Sequence, residues 1–454
     1  MRYLGILAVA FGVAVGGGAT AQQRYDGAKI KVLSTNSAYD LELKKFAHEF
    51  TEKTGAEVQF DLFGYAPTVQ KVSVELLTRS DSYDVVYLGS EEFGRYASGD
   101  ILEPLDNYID MKSADVQELI APVLRLYNKD GKQLAFPHFA ATQLLYYRAD
   151  LFEKAGIKQP PQTWEEFRND CDLLRKADIQ CTALRGQPDT GENIWFWGQV
   201  LYGFGGKYFA DEPADLTPTV NSPAAVEALK WYTDVMTNFT VPGSISATFD
   251  DVVIAMQQGR IAMTVEGAPT AGRILDPKLS KVVGKLGFAL PPGGVSGRFP
   301  PFAGQAYVIP AASENKAAAA AFLQWATSKD LMKRISLDST FVAITRTSLW
   351  DDPEIRAKHD YDYGHGSFAA TYAETLRGAP EWYYPRIPEF KEIGDRLGRA
   401  LQEAVVRSKS PEAALDDAQG DAVEIVKRAG YLKYRYTSPP ARFCAPVRAR
   451  TEPS

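Results

Sequence analysis

The protein has 454 residues, of which 45% are hydrophobic, and its formal net charge is −7 at pH 7. A chain of this length exceeds what one hydrophobic core usually serves, so we expect two domains. Nucleic-acid binding requires a basic face, and the excess of 57 acidic over 50 basic residues therefore argues against DNA or RNA as a partner.

The N-terminus predicts export. Arg2 is followed by an apolar stretch that passes through Gly16, Gly17 and Gly18 into Ala19-Thr20-Ala21, which is a small-x-small cleavage pattern. An uncleaved membrane anchor is the alternative, but the glycines interrupt the apolar run well before the ~20 residues that a span needs. We expect residues 1–21 to be a signal peptide cut after Ala21, and the mature protein to be periplasmic.

Strands alternate with helices along the first ninety residues. A β-rich run covers 29–33, an amphipathic helix closes at Gly55, and further strands are predicted over 57–60 and 83–87. This alternation predicts an α/β fold in which helices cover both faces of a parallel sheet.

Turn signals divide the rest of the chain. Asp150 is expected to cap a short helix that ends at Gly156, and Thr163 with Glu166 forms the pattern of a capping box for the next helix. Later elements are predicted as strands over 260–265 and 305–309 and as helices beginning at Ser222-Pro223, Lys316 and Ser410-Pro411.

The chain contains three cysteines. Cys171 and Cys181 lie ten residues apart, so a disulfide and a pair of buried thiols are both compatible with the sequence. Cys444 is expected to be a free thiol.

No catalytic signature is present. The sequence contains no nucleophile elbow, P-loop or dinucleotide fingerprint, and its four histidines limit metal chemistry. Acidic pairs such as Glu91-Glu92 leave open an exported carbohydrate-active enzyme. The tyrosine pairs 146–147 and 383–384 leave open a ferric-iron or other small-solute binder. We expect a binding protein that is not an enzyme and that holds no cofactor or metal.

Five motifs carry a family resemblance. They are Tyr147-Arg148-Ala149-Asp150-Leu151-Phe152, Pro160-Pro161-Gln162-Thr163-Trp164-Glu165-Glu166, Gly259-Arg260-Ile261-Ala262-Met263 with Glu266-Gly267, Gly304-Gln305-Ala306 and Ile387-Pro388-Glu389. With these motifs the chain resembles the extracellular solute-binding proteins of ABC importers, the family of maltose-, oligosaccharide- and polyol-binding proteins. The likeness covers nearly the whole mature chain.

The resemblance implies a two-lobe periplasmic-binding-protein fold of type II that closes around its ligand. The hinge crossings are expected near 140–142, 266–269 and 327–335. Residues 22–140 and 267–330 would form the first lobe and 141–266 the second. A helical part that joins the second lobe and the hinge would cover 331–436, followed by a flexible tail over 437–454.

The resemblance also implies ligand contacts. The loops after the first and third strands, a later aromatic loop and the C-terminal region supply Asn36, Ser37, Tyr39, Glu91, Glu92, Asn193, Trp195, Trp197 and Tyr384. The candidate ligand-binding set is completed by Tyr65, His138, Glu266 and Gln305. Carboxylates accept hydrogen bonds from sugar hydroxyls, and aromatic rings match the C–H faces of a sugar.

The implied function is capture of an oligosaccharide, a monosaccharide or a polyol by hinge closure, followed by delivery to the permease subunits of an ABC importer. We expect the protein to act as a monomer. Two departures from the maltose binder, Ala141 at an acidic hinge position and Gly394 at a stacking position, favour another saccharide or a polyol.

Overall fold

A computed structural model describes residues 24–380 and 383–432 of the chain. The predicted signal peptide with its cleavage site, the tail 437–454 and Cys444 lie outside the described residues. Among the described helices, none combines the length and the apolar character needed to cross a membrane.

Eleven strands are described. They are β1 (Lys29–Thr35), β2 (Glu57–Phe63), β3 (Val85–Gly89), β4 (Asn128–Lys129), β5 (Lys132–Gln133), β6 (Phe136–Arg148), β7 (Phe209–Asp211), β8 (Asp215–Pro218), β9 (Met263–Gly267), β10 (Leu286–Ala289) and β11 (Phe302–Val308).

Seventeen α-helices are described. They are α1 (Ala38–Thr54), α2 (Tyr65–Leu77), α3 (Phe93–Tyr96), α4 (Ala114–Gln117), α5 (Ala121–Leu126), α6 (Ala149–Lys154), α7 (Trp164–Lys176), α8 (Asn193–Gly203), α9 (Pro223–Asn238), α10 (Phe249–Gln257), α11 (Ala271–Ile274), α12 (Lys316–Ala326), α13 (Lys329–Asp338), α14 (Pro353–His359), α15 (Phe368–Gly378), α16 (Phe390–Val405) and α17 (Pro411–Arg428).

The main sheet is mixed rather than parallel. Its strand order is β10-β6-β11-β3-β1-β2, and β9 also pairs with β6. β1 runs parallel to β2 and β3, as predicted, but β11 is antiparallel to both β3 and β6. The α/β class is therefore confirmed, whereas the parallel arrangement holds only where helices α1 and α2 connect successive strands.

The strand β6 links the two lobes. Its first half, Phe136–Thr142, pairs with β11, and its second half, Gln143–Arg148, pairs with β9 and β10. The change of partner falls at the end of the predicted first crossing, 140–142. A single continuous strand thus belongs to both halves of the molecule.

The first lobe has a hydrophobic core on each face of its sheet. Because side chains alternate along a strand, Val32 and Val85 face one core while Leu33 and Val86 face the other. The first of these cores also contains Leu331 and other residues of α12 and α13. These helices therefore pack on the first lobe, although the prediction assigned the chain after residue 330 to the second lobe and the hinge.

The second lobe is built mainly from helices α7, α8, α9, α16 and α17, which share one large core. Fully buried Trp164 and Trp197 lie in this core. The helical C-terminal part of the chain returns to the first lobe through Arg386, whose guanidinium donates hydrogen bonds to the carbonyl oxygens of Leu126 and Asn128. The lobes are thus joined at this segment as well as along β6.

Most predicted helix caps are present. Gly55 ends α1 with a φ of 79°, and Ser222 and Ser410 cap α9 and α17. The predicted cap at Asp150 is not formed. Asp150 lies inside the first turn of α6, where Arg148 binds it, and it does not cap that helix.

The capping box predicted for α7 is half formed. Thr163 Oγ1 accepts a hydrogen bond from the Glu166 backbone N–H at 3.1 Å, as in a capping box. The Glu166 carboxylate accepts from the backbone N–H of Gln162 at 2.6 Å, one residue before the cap. The helix N-terminus is therefore held from two neighbouring residues.

Cys171 in α7 and Cys181 form a disulfide across a sequence separation of 10. Both cysteines are buried, and both belong to the core of the second lobe. Of the two alternatives that the sequence allowed, the structure contains the bridged form. The bridge ties α7 to the segment that leads into the cleft.

His138 lies in the first-lobe core. Its ring stacks on Tyr307 with centroids 4.2 Å apart and also contacts Tyr39. Neither ring nitrogen has a hydrogen-bond partner within the described residues. Burial lowers the pKa of His138 to about 4, and burial likewise lowers the pKa of His359 to about 4. Both imidazoles are therefore neutral in the folded protein.

Removal of the disulfide should reduce stability. In a Cys171→Ala/Cys181→Ala double variant we expect the free energy of unfolding to fall by about 2–3 kcal/mol, because a short closed loop no longer restricts the unfolded chain. Urea unfolding measures the change, and Cys444→Ala is the matched control. A double variant no less stable than the control would contradict the expectation.

The buried histidines should make stability depend on pH. The unfolded chain binds protons at these histidines below their ordinary pKa of 6.5, but the folded protein does so only near pH 4, so stability is lost as pH falls between these values. Each contributes a slope of at most about 1.4 kcal/mol per pH unit. We expect His138→Phe to remove about half of this loss.

The control for this measurement is His48→Gln, since His48 is exposed on α1. Denaturant unfolding at a series of pH values gives the slopes. Equal slopes for His138→Phe and the unchanged protein would show that His138 does not carry the effect.

Candidate functional site

A cleft of about 650 Å³ lies between the two lobes. This volume falls within the range of ~300–1,000 Å³ that is usual for small-molecule sites. β6 and β11 contribute to its floor where they cross between the lobes. Its walls come from the loops after β1 and β3 on one side and from the loop before α8 and the start of α10 on the other.

The first-lobe wall presents polar side chains. Asn36 and Ser37 follow β1, and Glu91 follows β3. Since β1 and β3 are parallel neighbours, their carboxyl ends meet at the same edge of the sheet, where ligands bind in open α/β sheets. In the described part of the chain, neither the Asn36 nor the Gln305 side chain has a hydrogen-bond partner. Their amide groups are available to a ligand.

Glu91 is held in a defined position. Its Oε1 accepts a hydrogen bond from the Tyr65 hydroxyl at 2.7 Å. The carboxylate folds back over Gly89, where a Cβ atom would collide with it. Burial between the cleft walls raises the pKa of Glu91, and the Tyr65 hydrogen bond opposes that rise. The carboxylate is thus fixed on the first-lobe wall of the cleft.

The second-lobe wall is aromatic. Trp195 and Tyr384 line it, together with Phe249 at the start of α10. The Trp195 ring packs edge-on against Tyr383 at 5.4 Å between centroids, and it lies 5.9 Å from Tyr384. Neighbouring rings therefore hold Trp195 in place, with one edge open to the cleft.

Arg185 lies at the base of the cleft in a network of ion pairs. Its guanidinium makes two hydrogen bonds to fully buried Glu266, one of them at 2.9 Å, and donates to the Gly191 carbonyl oxygen at 2.9 Å. Glu192 lies 3.6 Å from the same guanidinium. Burial raises the pKa of Glu192 to about 7, although Arg185 lowers it.

The second cation of the cleft is also paired. Arg273 contacts Asp250 at 2.7 Å. The guanidinium groups of Arg273 and Arg185 lie 5.5 and 5.4 Å from the ring centroid of Phe249. Both arginines that line the cleft therefore have a carboxylate partner and an aromatic neighbour.

The structure brings seven of the thirteen predicted ligand contacts together on the cleft. They are Asn36, Ser37, Tyr65, Glu91, Trp195, Gln305 and Tyr384. Six others lie away from its surface, namely Tyr39, Glu92, His138, Asn193, Trp197 and Glu266. Contact between the first group and a ligand stays a prediction.

Helix geometry explains the position of Trp197. The predicted aromatic loop is the helix α8, in which side chains two residues apart point about 200° from each other. Trp195 faces the cleft, so Trp197 faces the core, where it is completely buried. Asn193 begins the same helix, and its side chain donates to the Gly398 carbonyl oxygen at 2.9 Å. It fixes the loop before α8 and does not line the cleft.

The remaining four residues are buried within the fold. Tyr39 donates to the Ala326 carbonyl oxygen, and His138 stacks in the first-lobe core. Glu266 binds Arg185. Glu92 is 4% exposed, and burial together with neighbouring Glu91 raises its pKa to about 7.

Several cleft residues were not predicted. Phe139 could have been found, because side chains alternate along a strand and Ala141 at the predicted hinge lies on the same face of β6. Arg185, Glu192 and Phe249 carry no local pattern that marks them. Their roles depend on contacts between distant segments.

The tyrosines considered for ferric iron have hydrogen-bond partners in the fold. Among the described residues, no group of three or more His, Cys, Asp or Glu side chains could hold a metal ion. The phenol of Tyr146 donates to the carbonyl oxygens of Gly267 and Ala268, and that of Tyr383 donates to the Trp195 carbonyl oxygen. These hydroxyl groups are already engaged within the fold.

Known proteins resemble this chain over most of its length. The mannitol-binding protein of Pseudomonas aeruginosa is 28% identical over 384 residues, which cover 80% of this chain and 85% of that protein. A solute-binding protein of Agrobacterium vitis S4, solved with bound D-mannitol, has a TM-score of 0.79 at 28% identity and covers 90% of this chain and 100% of its own.

A solute-binding protein of Agrobacterium radiobacter K84, solved with ribitol, also has a TM-score of 0.79 at 28% identity, covering 88% of this chain and 100% of that chain. Residues 34–333 match the family described as bacterial extracellular solute-binding protein. This match spans well over half of the sequence and confirms the resemblance found in the motifs. The chain therefore belongs to the bacterial extracellular solute-binding protein family.

Proposed function

We propose that the protein captures a polyol or a small sugar in the cleft between its lobes and delivers it to the permease of an ABC importer. The observation that carries this proposal is the asymmetry of the cleft. Asn36, Gln305 and Glu91 offer hydrogen-bonding groups on the first lobe, and Trp195 and Tyr384 offer an apolar wall on the second. A polyhydroxylated carbon chain has both kinds of surface.

A polyol is favoured over a maltose-like oligosaccharide. Similar chains include one named as a mannitol binder and two solved with mannitol and ribitol. At Gly394, the position of a stacking ring in the maltose binder, a Cβ atom would lie 2.5 Å from Thr190 Oγ1. α16 packs too closely against the loop before α8 to carry an aromatic side chain there.

Capture without chemistry is supported by the state of two of the three carboxylates that line the cleft. Glu192 lies beside Arg185, and Asp250 is paired with Arg273. Both carboxylates thus contribute to the framework of the site. The similar chains are themselves named as binding proteins.

The function is tested by thermal unfolding of the protein purified from the periplasm and stripped of ligand by refolding. The panel contains mannitol, ribitol, monosaccharides, maltose, amino acids and ferric iron. A ligand at a hundred times its dissociation constant adds ~2.7 kcal/mol of stability, which raises Tm by several degrees. We expect the largest shift with a polyol.

A response to amino acids or iron with none to polyols or sugars would contradict the proposal. Conversion of any panel compound to a product, detected by chromatography, would favour the alternative of an exported carbohydrate-active enzyme. The intact mass of the same sample tests the proposed cleavage after Ala21.

A substitution of Trp195 tests whether the aromatic wall contributes to ligand affinity. In a Trp195→Phe variant we expect the dissociation constant for the bound polyol to rise about tenfold, or ~1.4 kcal/mol, because the smaller ring leaves part of the wall uncovered. Titration calorimetry gives the constant. The matched control is Trp325→Phe, which alters a tryptophan that packs on Phe50 and Phe322 in the first lobe. An equal effect in both variants would assign the loss to general stability.

A further inference from the structure

We infer that Glu91 makes the cleft select its ligand by charge, so that neutral and amine-bearing polyhydroxy compounds bind and acidic ones are rejected. This inference rests on the proposed function and adds to it the charge of the ligand. It follows from which charged groups in the cleft are already neutralised by partners and which are not.

The cations of the cleft are used internally. Arg185 is held by Glu266 and Glu192, and Arg273 is held by Asp250. A ligand carboxylate or phosphate would therefore have to share a guanidinium group with a carboxylate that already contacts it. Loss of Arg185 would leave fully buried Glu266 without its cation, which is strongly unfavourable, whereas the Arg273–Asp250 pair is about half exposed, with side-chain exposures of 43% and 51%.

A third cation, which acts on Glu91, is also paired with carboxylates. Lys391 influences Glu91 electrostatically, but it does not line the cleft. Its ammonium group donates to Asp189 at 2.9 Å and to both oxygens of Asp395 at 2.8 and 2.9 Å. In the described part of the molecule, therefore, Arg185, Arg273 and Lys391 each already have a carboxylate partner.

Glu91 is in the opposite situation. The side chain that donates a hydrogen bond to the Glu91 carboxylate is Tyr65, whose hydroxyl group is neutral. Within residues 24–380 and 383–432 no cationic side chain forms an ion pair with Glu91. Among the charged residues near Glu91, Asp189 raises the pKa of its carboxyl group and Lys391 lowers it. The first-lobe wall therefore carries a carboxylate that lines the cleft and has no ion-pair partner among the described residues.

This arrangement has a direct chemical consequence. A hydroxyl group can donate a neutral hydrogen bond to the Glu91 carboxylate, and an ammonium group can donate a stronger, charge-assisted one. An acidic group at the same end of the ligand would meet a like charge in a partly desolvated site. A chain of hydroxyl groups with an amine should thus bind best and its acid analogue worst.

The test uses three compounds with one carbon skeleton: D-mannitol, 1-amino-1-deoxy-D-mannitol and D-mannonate. Dissociation constants are measured by titration calorimetry at about pH 8, where an alkylammonium group stays protonated. We expect the amine to bind about tenfold more tightly than mannitol and mannonate at least tenfold more weakly, which corresponds to ~1.4 kcal/mol per step.

In a Glu91→Gln variant, the ratio of the affinity for the amine to the affinity for the acid should fall at least tenfold. The matched control is Glu92→Gln, which removes the neighbouring carboxylate from a buried position off the cleft and should change the ratio less than threefold. Thermal unfolding checks that both variants fold. Glu91→Ala is the second variant if Glu91→Gln does not.

The outcomes separate the two proposals. A protein that binds none of the three compounds overturns the capture of a polyol and, with it, the charge selection. Mannitol binding with equal affinities for the amine and the acid overturns the charge selection alone. An unchanged affinity ratio in both Glu91 variants overturns the assignment to Glu91.

Discussion

The backbone hydrogen bonds of β6 are the constraint on which the rest of the molecule depends. One strand of thirteen residues pairs with β11 in its first half and with β9 and β10 in its second half. A β-strand is stiff along its length, so the two lobes cannot separate at this point without loss of paired backbone groups. The cleft opens directly beside this strand, and Phe139 and Ala141 reach it from the strand itself.

The two walls of the cleft are built on different principles. On the first lobe, loops at the ends of parallel strands expose Asn36 and Glu91, and the hydrogen-bonding capacity of these side chains is largely unused inside the fold. On the second lobe, Arg185, which is fixed by Glu266, lies against the ring of Phe249, and neighbouring rings hold Trp195 in position. The first-lobe wall thus offers oriented hydrogen-bonding groups, and the second-lobe wall offers an apolar surface of defined shape.

Local signals and family motifs predicted much of the fold, because caps and strand alternation depend on neighbouring residues. Gly55 ends α1, and Ser222 and Ser410 cap α9 and α17, as expected. The site was harder to predict. Trp195 and Trp197 were assigned to a loop, and only the helical turn of α8 separates the cleft residue from the core residue. Arg185 meets Glu266 across 81 positions, a pairing that no local pattern encodes.

The contact between Glu91 and Gly89 makes the residue types that fit at these two positions depend on each other. The carboxylate occupies the volume that a methyl group at position 89 would need. An alanine at position 89 is therefore compatible with the fold only if the acidic side chain turns away or is lost. Related chains should vary at these two positions together. A glycine two residues before an acidic residue would then identify this first-lobe wall in sequences whose structures are not known.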